Sequence, residues 1–249
     1  RSRWKQAISN ITIWRKGEQR APHKPLLLLH VLSRYRQGHE RLFNYSSEIY
    51  EPLLDLLERY GPHRRDQRPD MPFWRLKGDG FWELQNAELC STNGSRQPPR
   101  RELTEYNVAG GFDADNFALV AKNHRLIDTL AQQLLEAHFP ASIQEDIADE
   151  RGFDIRTSLR KRDPKFRQMV LRSYNYQCAV CGFNMRHDNA PIALEAAHIR
   201  WKQHRGPYEV PDGLALCAIN HKAFDRGSIG LDENMRVVVS DAVNGRGGN

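Results

Sequence analysis

Three clustered cysteines restrict the fold of the last third of this 249-residue chain more than any other feature. Cys178 and Cys181 form a C-x-x-C pair and Cys217 follows further along, whereas Cys90 stands apart. Two thiolates at this spacing can bind one zinc ion, and a later pair of ligands closes the tetrahedron. A C-x-x-C pair alone is weak evidence, because redox motifs share it. Clustering in a chain without a secretory signature nevertheless favours a metal site over disulfides.

Three further segments surround the third cysteine. The sequence reads EAAHI over residues 195–199, DGLAL over residues 212–216 and NHKAFDRG over residues 220–227. This order resembles the HNH, or ββα-metal, nuclease family, and the resemblance covers about residues 164–240. The resemblance implies two strands and a helix around a catalytic metal, with a structural zinc beside them.

The resemblance also implies roles for three side chains in phosphodiester hydrolysis. His198 matches the general base, a role that suits imidazole because it exchanges a proton near neutral pH. His221 matches the ligand of a divalent cation, Mg²⁺ or Mn²⁺, which would stabilise the leaving oxygen. Asp212 stands where the family has the asparagine that orients the base, and a carboxylate can still accept a hydrogen bond from an imidazole N–H.

The zinc site departs from the family pattern at one position. Asn220 stands where a fourth zinc ligand is usual, and asparagine is a poor zinc ligand. We therefore expect either a weakened site or a zinc held by three thiolates with water or a histidine as the fourth ligand. The residues concerned are Cys178, Cys181 and Cys217, with His187 or His204 as the candidate histidine.

The surroundings of the base depart from the pattern as well. Ala197 takes the place of the acidic residue directly before the base, and Glu195 is only a weak substitute. An isolated histidine is more often structural, but within this order of segments we interpret His198 as catalytic. Asp225 and Arg226 indicate a local cap or ion pair rather than catalytic groups.

The N-terminal part is predicted to be mainly helical. Apolar residues at helical spacing predict a helix over residues 3–16. A run of four leucines predicts a second helix from Pro22 to Tyr35 that is buried on most sides. Further helices are expected from Glu48 to Tyr60 and from Asn116 to Phe139, the latter interrupted near residues 122–123.

Between these helices the pattern changes. Apolar residues alternate on both sides of a Lys77–Gly80 turn, which predicts a β-hairpin of Phe73–Leu76 and Phe81–Leu84. Helices followed by a hairpin resemble a winged helix, a frequent nucleic-acid-binding layout. The Gly110-Gly111 pair predicts a turn.

A charge-rich stretch near residues 150–162 predicts the boundary between two domains. We therefore expect an α+β protein. Residues 1–150 would form a mainly helical, winged-helix-like domain with a small β-hairpin that reads DNA. Residues 151–249 would form the zinc-containing ββα-metal (HNH) domain.

A second resemblance covers roughly residues 5–148. The segments HKPLLL (23–28), FWRL (73–76), GGF (110–112) and HFPAS (138–142) occur in this order. They are similar to the sulfur-binding domain of McrA-type phosphorothioate-dependent restriction endonucleases, in which such a domain precedes an HNH module.

This resemblance implies a pocket for sulfur. A non-bridging sulfur is larger, softer and less strongly hydrated than oxygen, so a shallow apolar pocket flanked by cations can recognise it. The candidate residues are His138, Phe139, Pro140, Ser142 and Ile143, with Arg96, Arg100 and Arg101 for phosphates and bases. The same Phe-Pro pair is also how a helix commonly ends, and each arginine equally suits generic phosphate contacts.

The charge balance is compatible with such a partner. The chain has 37 Lys and Arg against 31 Asp and Glu, a net charge of +6. This favours a polyanion, double-stranded DNA first and an anionic membrane surface second. The sequence contains no apolar run long enough for a spanning helix, and we expect no membrane association and a cytoplasmic, prokaryotic-type location.

The leading hypothesis is a restriction endonuclease that recognises phosphorothioated DNA and cleaves nearby with a divalent metal. Two alternatives stay open: an HNH nuclease that reads another modification, such as methylcytosine, and a DNA-binding protein with a degenerate nuclease module. Because one metal site per chain cuts one strand, we expect a homodimer.

Overall fold

The computed structural model describes residues 15–16, 19–20, 22–61, 66–91, 97–155, 164–199 and 212–245. The chain divides into two compact units, one comprising Arg1–Phe139 with Asp146–Arg156 and the other Pro140–Glu145 with Thr157–Asn249. The helix predicted over residues 3–16 lies outside the described residues except at its end, where β1 (Arg15–Lys16) pairs with β2 (Gln19–Arg20). Within the described ranges, no helix is long and apolar enough to cross a membrane.

The chain up to residue 155 is mainly helical, as predicted. Its helices are α1 (His23–Arg36), α2 (Tyr50–Tyr60), α3 (Asp70–Arg75), α4 (Arg100–Glu105), α5 (Ala114–Val120), α6 (His124–His138) and α7 (Ala141–Arg151). Its other strands are β3 (Leu42–Asn44), β4 (Trp82–Gln85) and β5 (Ala109–Phe112). A π-helical turn precedes α2, and short 3-10 turns follow α3 and β4. The break between α5 and α6 confirms the predicted interruption.

Helix α1 forms the centre of the first unit. Leu26–Leu29 are completely buried, which confirms the prediction that this helix is enclosed on most sides. Tyr35, near its end, links the helix to the sheet. The Tyr35 hydroxyl donates to the carbonyl of Arg41 across 2.7 Å and accepts from the N–H of Phe112 across 3.0 Å. This buried hydroxyl therefore both donates and accepts a hydrogen bond.

The small sheet has the antiparallel order β3-β5-β4, and the two glycines lie in its central strand. The turn predicted at Gly110-Gly111 is therefore wrong. A Cβ at Gly111 would lie 2.0 Å from the carbonyl oxygen of Arg41, and one at Gly110 would lie 2.7 Å from the Leu84 side chain. Glycine is needed here because neighbouring groups approach the backbone closely, not because the chain turns.

The hairpin predicted from Phe73–Leu76 is also wrong, because this segment belongs to α3 and the 3-10 turn after it. Adjacent residues Phe73 and Trp74 are both buried, whereas a half-buried strand would expose one of them. The second predicted strand, Phe81–Leu84, corresponds to β4, and β4 pairs with β5 and not with Phe73–Leu76. The winged-helix analogy depended on that hairpin.

The second unit contains the expected order of strand, strand and helix. Its elements are α8 (Pro164–Ser173), β6 (Arg186–His187), β7 (Ala190–Pro191), β8 (Leu194–His198), β9 (Gly213–Cys217), α9 (Ala218–Asp225), β10 (Ile229–Leu231) and β11 (Val237–Val239). Strands β8 and β9 pair antiparallel, with His198 opposite Gly213 and Leu194 opposite Cys217. Phe166, Val170 and Leu216 contribute to the apolar core of this unit.

Candidate functional site

The three cysteines predicted to bind zinc lie together. The Sγ atoms of Cys178, Cys181 and Cys217 are all within 4.8 Å of one another, and those of Cys181 and Cys217 are 3.9 Å apart. Sulfur ligands about 2.3 Å from a tetrahedral zinc lie about 3.8 Å from each other. The observed spacing therefore suits one ion bound by three thiolates, and none of the three forms a disulfide.

Local backbone bonds fix the C-x-x-C pair against the hairpin. The N–H of Gly182 donates to the carbonyl of Cys178 across 2.9 Å, and Gly182 has a φ of +71°, where glycine is favoured. The N–H of Ala179 donates to the carbonyl of Ala215 across 2.8 Å. Since β9 ends at Cys217, the same strand both anchors the pair and supplies the third thiol.

Position 220 contributes a hydrogen bond to this centre. The Nδ2 of Asn220 donates to the Sγ of Cys178 across 3.3 Å. Burial raises the pKa of the Cys178 thiol, but the bonds from Asn220 and from backbone N–H groups outweigh it and lower that pKa to about 6. Burial raises the pKa of the Cys217 thiol. His187, one candidate for a fourth ligand, is highly exposed on β6, and His204 lies outside the described residues.

The predicted base closes strand β8. The His198 ring stacks on the Phe166 ring with 4.3 Å between the centroids and 11° between the planes. The N–H of Ile199 donates to the carbonyl of Asp212 across 2.8 Å, which brings Asp212 to the same end of the hairpin. The structure thus places the two predicted residues close in the fold and holds the imidazole against an aromatic wall from α8.

His221, on α9, lies between two carboxylates. Its Nδ1 is 2.5 Å from the Oε2 of Glu195, and its Nε2 is 3.5 Å from the Oδ2 of Asp225. Ser142 donates from its hydroxyl to the same Asp225 oxygen. Burial raises the pKa of Asp225, and the charge of Glu195 raises it further. His221 and the hydrogen bond from Ser142 lower this pKa, but the net shift is upward.

Asp225 forms the local ion pair that the sequence predicts at this position. Its side chain is only 6% exposed and faces His221 one helical turn away, beside the predicted ligand of the divalent cation. The spacing of i and i+4 on α9 was the available signal, because such residues lie on one face of a helix. A buried carboxylate beside an imidazole is a suitable oxygen ligand for a hard cation.

The candidate sulfur-pocket residues are mostly enclosed. Phe139 and Ile143 are 2% and 3% exposed, and Pro140 is also buried, whereas His138 is half-buried. The pocket itself therefore stays a prediction. Ser142 takes part in the hydrogen bond to Asp225 described above.

The candidate arginines differ in their surroundings. Arg100 and Arg101 are exposed at the start of α4. The Arg100 guanidinium lies 5.2 Å from the centroid of the Tyr50 ring and donates to its hydroxyl across 3.1 Å. This contact orients one cation at the surface of the first unit. Arg96 lies outside the described residues.

Comparisons with known proteins agree with both resemblances. The family model of the ScoMcrA-like DNA sulfur-binding domain matches residues 1–155, and an HNH endonuclease model matches residues 178–232. A search of curated proteins gave no match.

Two solved structures share the fold of the first part of the chain. The sulfur-binding domain of ScoMcrA complexed with phosphorothioated DNA is 23% identical, covers 59% of this chain and 97% of its own, and gives a TM-score of 0.53. The sulfur-binding domain of SprMcrA complexed with phosphorothioated DNA is 20% identical, covers 60% of this chain and 92% of its own, and gives a TM-score of 0.51.

Proposed function

This chain belongs to the ScoMcrA-like DNA sulfur-binding family and carries an HNH endonuclease domain, and from this premise we propose that it is a phosphorothioate-dependent restriction endonuclease. It would bind phosphorothioated DNA and hydrolyse phosphodiester bonds nearby. The observation that carries the proposal is the presence, in one chain, of a sulfur-binding fold and an HNH module with its thiolate cluster and two histidines. We further propose a division of labour between residues 1–150, which bind DNA, and residues 151–249, which cut it.

The similar structures support the choice of substrate, because both are complexes with phosphorothioated DNA. In this chain we assign the sulfur pocket to Phe139, Pro140 and Ile143, because apolar side chains suit the softer and less hydrated sulfur. Phe139 and Ile143 are 2% and 3% exposed, so sulfur would reach them only through a local opening of this segment. His138 and Ser142 border this segment. Arg96, Arg100 and Arg101 would contact phosphates and bases.

The second unit offers residues for two metals. Cys178, Cys181 and Cys217 fit a structural zinc, because their sulfur atoms have the separation that one tetrahedral ion requires. His221 and Asp225 fit a hard divalent cation, because an imidazole nitrogen and a buried carboxylate oxygen face each other. When bound, Mg²⁺ or Mn²⁺ would polarise the phosphate and stabilise the leaving oxygen.

The remaining chemistry belongs to the chain. His198 would accept a proton from the attacking water, and Phe166 holds its ring in one plane. Asp212 would help to orient this imidazole from the adjacent end of β9. Together these groups suit in-line hydrolysis of one strand at each site.

Cleavage assays on matched duplexes test the proposal. We expect cutting of phosphorothioated duplex in Mg²⁺ or Mn²⁺, little cutting of unmodified duplex, and none by H198A, which should still bind modified DNA. Cleavage that does not depend on sulfur would overturn the substrate assignment and favour a nuclease that reads another modification, such as methylcytosine. Selective binding without cleavage by the wild type would favour the degenerate nuclease.

The expected assembly is a homodimer, since two strands must be cut and each chain offers one pair of catalytic histidines. Light scattering of the protein bound to modified duplex measures the number of chains per DNA. Two chains on one duplex would support the dimer, and a single chain would contradict it.

A further inference from the structure

The position directly before the proposed base carries no acidic residue in this chain. It is occupied by Ala197, which is 1% exposed and packs in the apolar core of the second unit. In a strand, residues two apart point to the same face. Glu195 therefore projects from the same face of β8 as Ala197, and its longer side chain extends further from the strand.

Glu195 reaches the neighbouring helix. Its Oε2 lies 2.5 Å from the Nδ1 of His221, and both side chains are largely enclosed, at 28% and 15% exposure. An ionised carboxylate can only accept a hydrogen bond, so whenever the His221 ring is neutral this contact favours the tautomer with its proton on Nδ1. In this tautomer the Nε2 of His221 carries the unprotonated lone pair through which a neutral imidazole binds metals.

That nitrogen faces the second carboxylate. The Nε2 of His221 and the Oδ2 of Asp225 are 3.5 Å apart. Adjacent ligands of an octahedral Mg²⁺, each about 2.1 Å from the ion, lie about 3 Å from one another. A small side-chain adjustment would therefore let both atoms bind one cation.

We propose that Glu195 is the positioning residue of the catalytic cation site. It holds His221 in the tautomer and orientation in which Nε2, together with Asp225, binds the divalent ion. Glu195 thus acts through this histidine in place of the acidic residue that is missing at position 197. Metal-binding histidines commonly donate their second N–H to a carboxylate in this way. The inference rests on the proposed cation at His221.

Mn²⁺ binding to the zinc-loaded full chain, measured by electron paramagnetic resonance of the free ion, tests this role apart from cleavage. We expect E195A to weaken Mn²⁺ binding by about 10- to 100-fold. E195Q should have a smaller effect, because its amide oxygen can still accept from Nδ1. The matched control E233Q, at an exposed turn, should bind like the wild type, and H221A should abolish binding.

The tautomer of His221 provides a second readout. Long-range ¹H–¹⁵N correlation spectra should show the wild-type ring protonated at Nδ1, and E195A should lose this preference while keeping its zinc. Wild-type Mn²⁺ affinity or an unchanged tautomer in E195A would overturn the role of Glu195 alone. If E195A fails to fold, E195Q decides by the same measurements. Failure of the wild type to bind Mn²⁺ would instead overturn the proposed cation site.

Discussion

The side-chain amide of Asn220 donates a hydrogen bond to the thiol sulfur of Cys178 across 3.3 Å. Position 220 therefore hydrogen-bonds to one of the proposed zinc ligands. We expect N220A to keep the fold but to lower zinc affinity by about 10- to 100-fold, as for other groups that hydrogen-bond metal ligands. N220H should raise the affinity above that of the wild type, because it adds a fourth protein ligand.

Competition with a chromophoric chelator measures both effects. N189A, at an exposed turn, is the matched control and should bind zinc like the wild type. Wild-type affinity in N220A would show that the amide contributes nothing to the centre. Weaker binding in N220H would indicate that the fourth position is already filled.

The clustering of the three thiols in the second unit follows from residue types with narrow uses, whereas the catalytic roles assigned there stay predictions. Cysteines at C-x-x-C spacing and a histidine at the end of a strand restrict the geometry strongly. The pairing of Asp225 with His221 follows from their i, i+4 spacing, whereas the burial of Asp225 is a tertiary property that the sequence does not show.

The sheet of the first unit was predicted poorly for a related reason. The alternation around Phe73 predicts a strand, but the two adjacent aromatic residues are both buried in a helix. Gly110-Gly111 predicts a turn, because sequence alone does not distinguish a glycine that bends the chain from one that lets a neighbouring group approach the backbone.

The central strand of that sheet should not tolerate a methyl group at Gly111. A Cβ there would lie 2.0 Å from a backbone oxygen, which cannot move without displacing β3. We expect G111A to destabilise the first unit by about 1–3 kcal/mol or more. Denaturant unfolding measures the change. G78A, where a Cβ would meet nothing within 4 Å, should leave the free energy of unfolding nearly unchanged, and equal stability of the two variants would contradict the close approach.

Asp70 is a completely buried carboxylate that depends on few partners. Arg68 donates to both of its oxygens, from Nε across 3.0 Å and from Nη2 across 2.7 Å, and Gln97 donates across 3.1 Å. Loss of Arg68 would leave a buried charge undercompensated. We expect R68A to lower the free energy of unfolding by roughly 2 kcal/mol. This value is below the full cost of an unpaired buried charge, because Arg68 is itself 45% exposed and water screens the pair.

An exposed ion pair is the matched comparison for that variant. Arg59 and Asp55 pair within one helical turn on α2 with both side chains exposed, so D55A should cost no more than about 0.5 kcal/mol. Chemical denaturation of both variants gives the two values. A cost for D55A as large as that for R68A would mean that burial of Asp70 is not the cause. In the D70N background, R68A should cost less, because the charge it balances is gone.

His30 should make the first unit less stable in mild acid. Burial lowers its pKa from 6.5 to about 4, with help from the charges of Arg151 and Arg34 and against the hydrogen bond to the Glu48 carbonyl. Between these two values the unfolded chain binds a proton that the folded chain does not. The stability contributed by neutral His30 is therefore present above pH 6.5 and is lost as the pH falls towards 4, by about 2 kcal/mol at pH 5.

The test compares how steeply the free energy of unfolding changes with pH in a variant and in the wild type. H30Q cannot titrate, so its free energy of unfolding should fall by about 2 kcal/mol less than that of the wild type between pH 7 and pH 5. H187Q removes an exposed histidine and should keep the wild-type slope. Because Nε2 of His30 is 3.0 Å from a carbonyl oxygen, a buried glutamine can retain that bond by donating from its amide. Parallel curves for H30Q and the wild type would show that His30 is not the group whose protonation opposes folding.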